Sequence, residues 1–241
     1  MKNLLIVGDV HTDLKGLYDI ASRFKNQVKA ILQVGDMELY QSSSAIEQEK
    51  EYLQRLGKEK RALGLKKALK QRTAQKLPIP VYFIKGNHED FENLDSEDLK
   101  AINIHYIKQG EILTIDGRTI LGLGGIHSPV RKFKKSEDLE GKEKRFYTLE
   151  EINNIKRKSS VKDVEILITH QAPAGVMPMD TPGKRSQWEE GTKDFVDLLN
   201  LPKLRYVIHG HHHVNYEANK DSLTCIGLGN FSKNKNSFCV I

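Results

Sequence analysis

Five short apolar runs each stop at a glycine or histidine with a polar residue in or just behind the last position: NLLIVGD (3–9), AILQVGD (30–36), VYFIKGN (81–87), VEILITH (164–170) and RYVIHGHHH (205–213). Continuous apolar runs of this length, bounded by turn formers, read as strands buried on both faces. What joins them alternates in character. In TDLKGLYDIASRF, residues Leu14, Leu17, Tyr18, Ala21 and Phe24 recur at helical spacing, with Asp13 placed as the cap. GEILTIDGRTILGLGG predicts a hairpin turning at Asp116-Gly117. TLEEINNIKRK carries a capping box, Thr148 with Glu151. TKDFVDLLNL reads as a helix capped at Thr192, and LTCIGLG and SFCVI as closing strands. Strands joined partly by helices and partly by hairpins predict a layered α/β domain with mixed sheets. No segment reads as a linker, so residues 1–241 are expected to form a single domain.

Two segments interrupt the pattern. From Glu38 to about residue 77 the chain is charged, and bases outnumber acids about two to one. Its sparse stripe of Ile46, Leu53, Leu56 and Leu63 predicts one or two exposed helices inserted between strands. The second is a basic polar loop at about 127–147, where Arg131, Lys132, Lys134 and Lys135 surround Phe133 and are followed by Arg145, Phe146 and Tyr147. Composition sets outer bounds. No run of about 18 apolar residues exists, which excludes a helical membrane span. The first apolar run lacks the length and cleavage site of a signal peptide. The two cysteines, Cys225 and Cys239, are too few for a disulfide framework and read as small buried hydrophobes, so a cytoplasmic location is expected. The net charge of +6 admits a polyanionic partner such as nucleic acid.

The polar residues at the strand ends carry the functional signal. Asp9 and His11 follow the first strand, Asp36 the second, and Asn87 and His88 the third. His170 ends a later strand, and His211 and His213 another. Ligands of α/β sheets bind outside the carboxyl ends of strands, so these eight residues are candidates for one pocket. Imidazole, carboxylate and amide donors without a thiolate suit divalent ions such as Mn, Fe or Zn and argue against a structural zinc site.

The ordered set GDVH, GD, GNHE, TH and GHHH, spanning Gly8 to His213, resembles the calcineurin-like metallophosphoesterase family. The resemblance implies an α/β sandwich of two mixed β-sheets flanked by helices in four layers, with two divalent metal ions at the strand edge. It implies that Asp9, His11 and His213 hold one ion, that Asn87, His170 and His211 hold the other, and that Asp36 bridges them. A metal-bridging hydroxide would then attack phosphorus in line. His88 would not bind metal but would assist the leaving group, with Asn87 also turned toward phosphate. His212 falls on the opposite parity and reads as a neighbour, and His209 as a supporting residue.

The substrate is less constrained. Phosphoprotein phosphatases of this superfamily place an arginine shortly after the bridging aspartate, whereas GDMELYQSSS is followed by none until Arg55. The layout of the helical insertion, of GLGGIHSP and of the basic loop is similar to RNA-lariat debranching enzymes, although those of eukaryotes commonly carry cysteine where this chain has Asp9. Basic and aromatic residues together suit phosphates and stacked bases. These features favour a phosphodiesterase acting on nucleic acid or nucleotide, with Arg131, Lys132, Lys134 and Lys135 as candidate contacts. A phosphomonoesterase or protein phosphatase, and a metal-bound scaffold with weak chemistry, remain open alternatives.

Overall fold

A computed structural model describes residues 3–65, 75–178 and 191–241. Strands β1 (Asn3–Val7), β2 (Val28–Gln33), β3 (Val81–Phe83) and β4 (Ile104–Tyr106) run parallel, and β11 (Phe238–Val240) closes the far edge antiparallel to β1, giving the order β11-β1-β2-β3-β4. The second sheet contains β5 (Ile112–Ile115), β6 (Arg118–Leu123), β7 (Ile166–Thr169), β8 (Tyr206–His209), β9 (Tyr216–Lys220) and β10 (Leu223–Gly227) in the order β5-β6-β7-β8-β10-β9. Its four central strands are parallel and its two outer pairs antiparallel. Both sheets are therefore mixed.

The alternation of side chains along each strand divides the apolar residues into layers. Leu4, Ile6, Leu32 and Val34 of the first sheet meet Ile120, Ile166, Ile168, Ile208 and Ile226 of the second, filling the space between them. The opposite face of the first sheet, through Leu5, Val7, Ile31 and Val81, packs on helix α1 (Leu14–Phe24) and on Leu99 of helix α4 (Glu97–Ala101). The outer face of the second sheet packs Leu121, Leu167 and Val207 on Ile152 and Ile155 of helix α5 (Leu149–Arg157). Helix, sheet, sheet and helix make the four expected layers.

Local signals fix several of these elements. The Asp13 side chain caps α1 by accepting from the Gly16 N–H, and the Thr148–Glu151 capping box starts α5. Asp116 and Gly117 both take positive φ, 51° and 84°, as a two-residue hairpin turn requires.

Two expectations are corrected. No α-helix starts at Thr192. Its backbone bridges Pro173, and its Oγ1 accepts from the Tyr147 hydroxyl at 2.6 Å and the Asp194 N–H at 3.2 Å. Only a short 3-10 turn, Val196–Asn200, fits before Pro202. The insertion is also not simply exposed. Helices α2 (Ser43–Arg55) and α3 (Glu59–Gly64) close a small core of Tyr40, Ala45, Ile46, Leu53, Ala62 and Leu65. Of the expected stripe, Ile46 and Leu53 are buried, Leu56 is exposed, and the Leu63 side chain lies outside the described residues, as do residues 66–74 of the insertion. The stripe fails at Leu56 because α2 ends at Arg55.

Candidate metal centre

The carboxyl ends of β1, β2, β3, β7 and β8 meet at one edge, where the two sheets deliver all eight sequence-predicted residues. The loops there are stitched to one another. The His11 N–H donates to the Asp36 carbonyl, and the Gly210 N–H to that of His170. The Gln33 side chain pins the turn after β2 through Gly35, at 2.5 Å to its carbonyl and 3.0 Å from its N–H. His11, Thr12, Asp36, Glu38, His211 and His213 all take positive φ, six of the nine non-glycine residues that do so among those described. Such conformations are costly and persist where the surroundings enforce them, typically at functional sites.

Asp36 sits at the centre and turns its two oxygens in different directions. Oδ1 accepts from the N–H groups of Asn87 and His88, both at 2.8 Å, and lies 3.5 Å from His170 Nε2. Oδ2 lies 3.9 Å from His11 Nε2. On the His11 side, Asp9, His11, Asp36 and His213 each offer a ligand atom within 4.8 Å of the others'. His213 Nε2 is 3.0 Å from Asp9 Oδ2 and 3.1 Å from His11 Nε2. On the other side, His170 Nε2 lies 3.1 Å from Asn87 Oδ1, and the His170 and His211 rings pack edge to face at 5.0 Å. Glycine permits this crowding. A Cβ on Gly210 would stand 2.1 Å from Asp9 Oδ1, and one on Gly86 2.1 Å from Asp36 Oδ1.

Partners outside the candidate ligands set the imidazole orientations. His170 donates through Nδ1 to the Val34 carbonyl at 2.8 Å, which leaves Nε2 facing Asp36 and Asn87. His11 does the same through Nδ1 with Glu38 Oε1 at 2.8 Å. Burial opposes a charge on His11, but the Glu38, Asp36 and Asp9 carboxylates outweigh it and lift its pKa to about 9. Burial likewise acts against Asp36, whose surrounding histidines, His170 first, hold it well below the usual carboxylate range. Burial and then His170 hold His211 well below the usual imidazole value. His209 is fully buried and held at both ring nitrogens. Its Nδ1 donates to the Gly210 carbonyl, its Nε2 accepts from the Tyr216 hydroxyl at 2.7 Å, and burial depresses its pKa to about 4. The His212 ring packs edge to face on both His209 and His211.

His88 is held differently. Its Nδ1 lies 2.5 Å from Oε1 of Glu49, a carboxylate 1% exposed on the inserted helix α2. The other Glu49 oxygen pairs with Lys142 of the basic loop at 2.6 Å. The two insertions thus meet behind His88. His88 also shares a group of three with Asp36 and Glu38.

Several of these residues escaped the sequence reading. Glu89, the last letter of GNHE, accepts from the N–H groups of Gly86, Met37 and Glu38 at 2.9 to 3.1 Å and ties the β2 and β3 loops together. Burial and the neighbouring Asp36 push its carboxyl up to about 8. Arg61 returns from α3 to pair with Glu38 and reach within 3.0 Å of His11 Nδ1. An arginine of the insertion thus reaches the His11 side of the centre, paired there with Glu38. The position of Glu38 in GDME and of Glu89 in GNHE offered a signal; Glu49, Arg61 and Lys142 offered none.

The sequence-predicted loop cations are accounted for by acids. Arg131 and Lys134 both pair with Glu143, at 2.9 and 2.6 Å, Lys132 pairs with Asp194 at 2.9 Å, and Lys135 lies 3.6 Å from Glu137. Among the described residues no helix is long and apolar enough to cross a membrane. The two cysteines form no disulfide. Cys225 is buried, and burial pushes the Cys239 thiol up to about 12.

The donor chemistry fits divalent cations. Two carboxylates and two imidazoles converge on one side, and an amide oxygen and two further imidazoles lie on the other side of the shared Asp36. Comparison with known proteins agrees. The chain is similar to the lariat debranching enzyme of Entamoeba histolytica, 24% identical over 252 positions that cover 95% of this chain and 69% of that protein. It is also similar to the lariat debranching enzyme of Schizosaccharomyces pombe, 28% identical over 163 positions, covering 59% of this chain but only 35% of that one. Among solved structures, TT1561 of Thermus thermophilus superposes with a TM-score of 0.59 at 13% identity over 96% of this chain and 90% of that one. The phosphopantetheinyl hydrolase of Mycobacterium tuberculosis superposes with a TM-score of 0.51 at 12% identity over 100% and 95%. At these identities the two structures speak for the fold alone. The calcineurin-like phosphoesterase family model matches residues 2–215, and the chain belongs to that family.

Proposed function

We propose that residues 1–241 act as one catalytic unit, a dinuclear-metal phosphodiesterase whose substrate is a nucleic acid or nucleotide. The observation that carries the reading is the Asp36 carboxylate, one oxygen facing His170 and the other His11, with His88 alongside. Asp9, His11 and His213 would hold one ion, and Asn87, His170 and His211 the other, with Asp36 common to both. Manganese suits this mixed nitrogen and oxygen set, as would iron or zinc. Two such ions, when bound, activate water near neutral pH and neutralise the phosphate oxygens.

The remaining work falls to side chains. With Nδ1 held by Glu49, His88 keeps a fixed ring orientation, and its Nε2 proton is the one to hand to the departing alkoxide. General acid assistance of this kind contributes about 10²–10⁴-fold. The Asn87 side chain gives its oxygen to the cation side and leaves its amide hydrogens for the phosphate. A diester is favoured over a monoester by the net charge of +6 and by the likeness to two proteins named as lariat debranching enzymes. Arg131, Lys132, Lys134 and Lys135 would meet phosphates by exchanging their carboxylate partners for them. Exposed Phe133, with the Lys132 ammonium 5.3 Å from its ring, offers a stacking face. The test is manganese-dependent hydrolysis of bis(p-nitrophenyl) phosphate against p-nitrophenyl phosphate. Faster diester cleavage abolished by a chelator is expected; cleavage of the monoester alone would reject the diester assignment.

A further inference from the structure

Near His88, across the Tyr52 ring, the two insertions line an open cavity of about 250 Å³. It is lined by Tyr52 of α2 and by Ser128, Arg131, Lys142, Glu143, Arg145 and Phe146 of the basic loop. Two of its cations are already matched, Arg131 by Glu143 and Lys142 by Glu49. Arg145 is not. It is 4% exposed and has no carboxylate partner among the described residues. Its Nε donates to the Lys142 carbonyl at 2.5 Å, and its guanidinium carbon stands over the Tyr52 ring, 3.5 Å from the centroid. Its Nη1 is buried without a hydrogen-bond partner. An uncompensated buried cation with an unused donor is costly unless an anion completes it. The oriented guanidinium fork matches a phosphate. Ser128 adds a hydroxyl; its Oγ accepts from the Arg131 N–H at 3.1 Å, which leaves its hydrogen to donate into the cavity. Phe146 supplies an apolar wall for a sugar.

The cavity's place relative to His88 says which phosphate. The Tyr52 ring is 5.9 Å from the His88 ring, and Lys142 reaches His88 through Glu49. A nucleic-acid strand advances at least about 3.4 Å per phosphate, so the next phosphate along falls within this range. We propose that the cavity under Arg145 is a subsite for the backbone phosphate adjacent to the scissile one on the leaving-group side. This makes an oligonucleotide, with at least two consecutive phosphodiesters, the preferred substrate. The proposal rests on the phosphodiesterase reading above.

The test compares a thymidine dinucleotide, which has one phosphodiester, with a trinucleotide, which has two. The wild type is expected to favour the trinucleotide by about tenfold or more in kcat/KM. Arg145→Gln should erase that preference, mainly through KM, and Ser128→Ala should reduce it. Arg145→Lys, which keeps the charge and so guards against misfolding, should retain part of it. A wild type without the preference, or an Arg145→Gln that loses both substrates equally while Arg145→Lys behaves as wild type, overturns the subsite. If the wild type hydrolyses neither substrate, the phosphodiesterase reading fails by itself. Calorimetric binding of the trinucleotide still decides the subsite: about tenfold weaker binding in Arg145→Gln supports it, and equal binding rejects it.

Discussion

Glu49 Oε1 lies 2.5 Å from His88 Nδ1, across 39 residues of sequence and from a helix inserted between β2 and β3 in the chain. A short contact between two nearly fully buried groups fixes both the ring's orientation and which nitrogen faces the Asp36 edge. Glu49→Ala is expected to lower kcat by about 10- to 100-fold with little change in KM, part of the general-acid contribution. Glu49→Gln should lose less, because the amide oxygen still accepts from Nδ1. Metal content should be unaffected in both. Steady-state kinetics with metal analysis checks this, and a change confined to KM would contradict the assignment.

Separate roles for neighbouring residues make a second expectation. His88→Ala should retain bound metal and lose about 10²–10⁴-fold in turnover. Asp36→Asn should lose both, because the shared carboxylate loses its charge and one acceptor oxygen. Elemental analysis beside activity distinguishes the two; a His88→Ala protein emptied of metal would make His88 a ligand.

Gly210 offers a test of geometry without touching a ligand. A Cβ there would stand 2.1 Å from Asp9 Oδ1 and 2.9 Å from Val34 Cγ2. Gly210→Ala should therefore push the Asp9 carboxylate out of place, weakening manganese binding by about tenfold or more while the melting transition stays cooperative. Unchanged metal affinity would show that the Asp9 position is not critical.

Asp194 ties the basic loop to the segment between β7 and β8. It accepts from Lys132 at 2.9 Å, from the Tyr147 hydroxyl at 3.0 Å and from His127 at 2.8 Å. Burial would raise its pKa, but these donors, Lys132 first, outweigh it and hold the carboxyl below its ordinary value of 3.8. The folded state therefore prefers the charged form. The resulting stabilisation is complete above that ordinary value and is lost as pH falls through the lower folded value. Asp194→Asn should melt lower than wild type at pH 7 and pH 5, and the gap should narrow only below about pH 4. A gap that is constant from pH 7 to pH 3 would contradict this.

The fold and the gathering of the candidate ligands at one edge were legible for the same reason. Buried parallel strands must be continuous apolar runs, and the residues just past them must share an edge, so NLLIVGD and RYVIHGHHH announce both strand and site. What lay beyond reading depends on distant packing. Strands β4 and β9 are short or polar, IHY and YEANK, and only pairing with β3 and β10 makes them strands. TKDFVDLLNL has helical periodicity, but Thr192 is claimed by Tyr147 and Asp194. Period-two alternation separated His211 and His213 from His212, although the chain leaves the strand at His209 and both candidate ligands reach the site at positive φ. Glu49, Arg61 and Lys142 looked like three among many surface charges. Only the way α2 and α3 fold back over the strand edge brings them to His88, Glu38 and each other.

Metal content tests the dinuclear centre most directly. After removal of metal, reconstitution with manganese and desalting, elemental analysis should find about two ions per chain, as the shared Asp36 requires. His213→Ala and His170→Ala should each retain about one. A stoichiometry near zero in the wild type would contradict the dinuclear centre and, with it, the chemistry proposed for this chain.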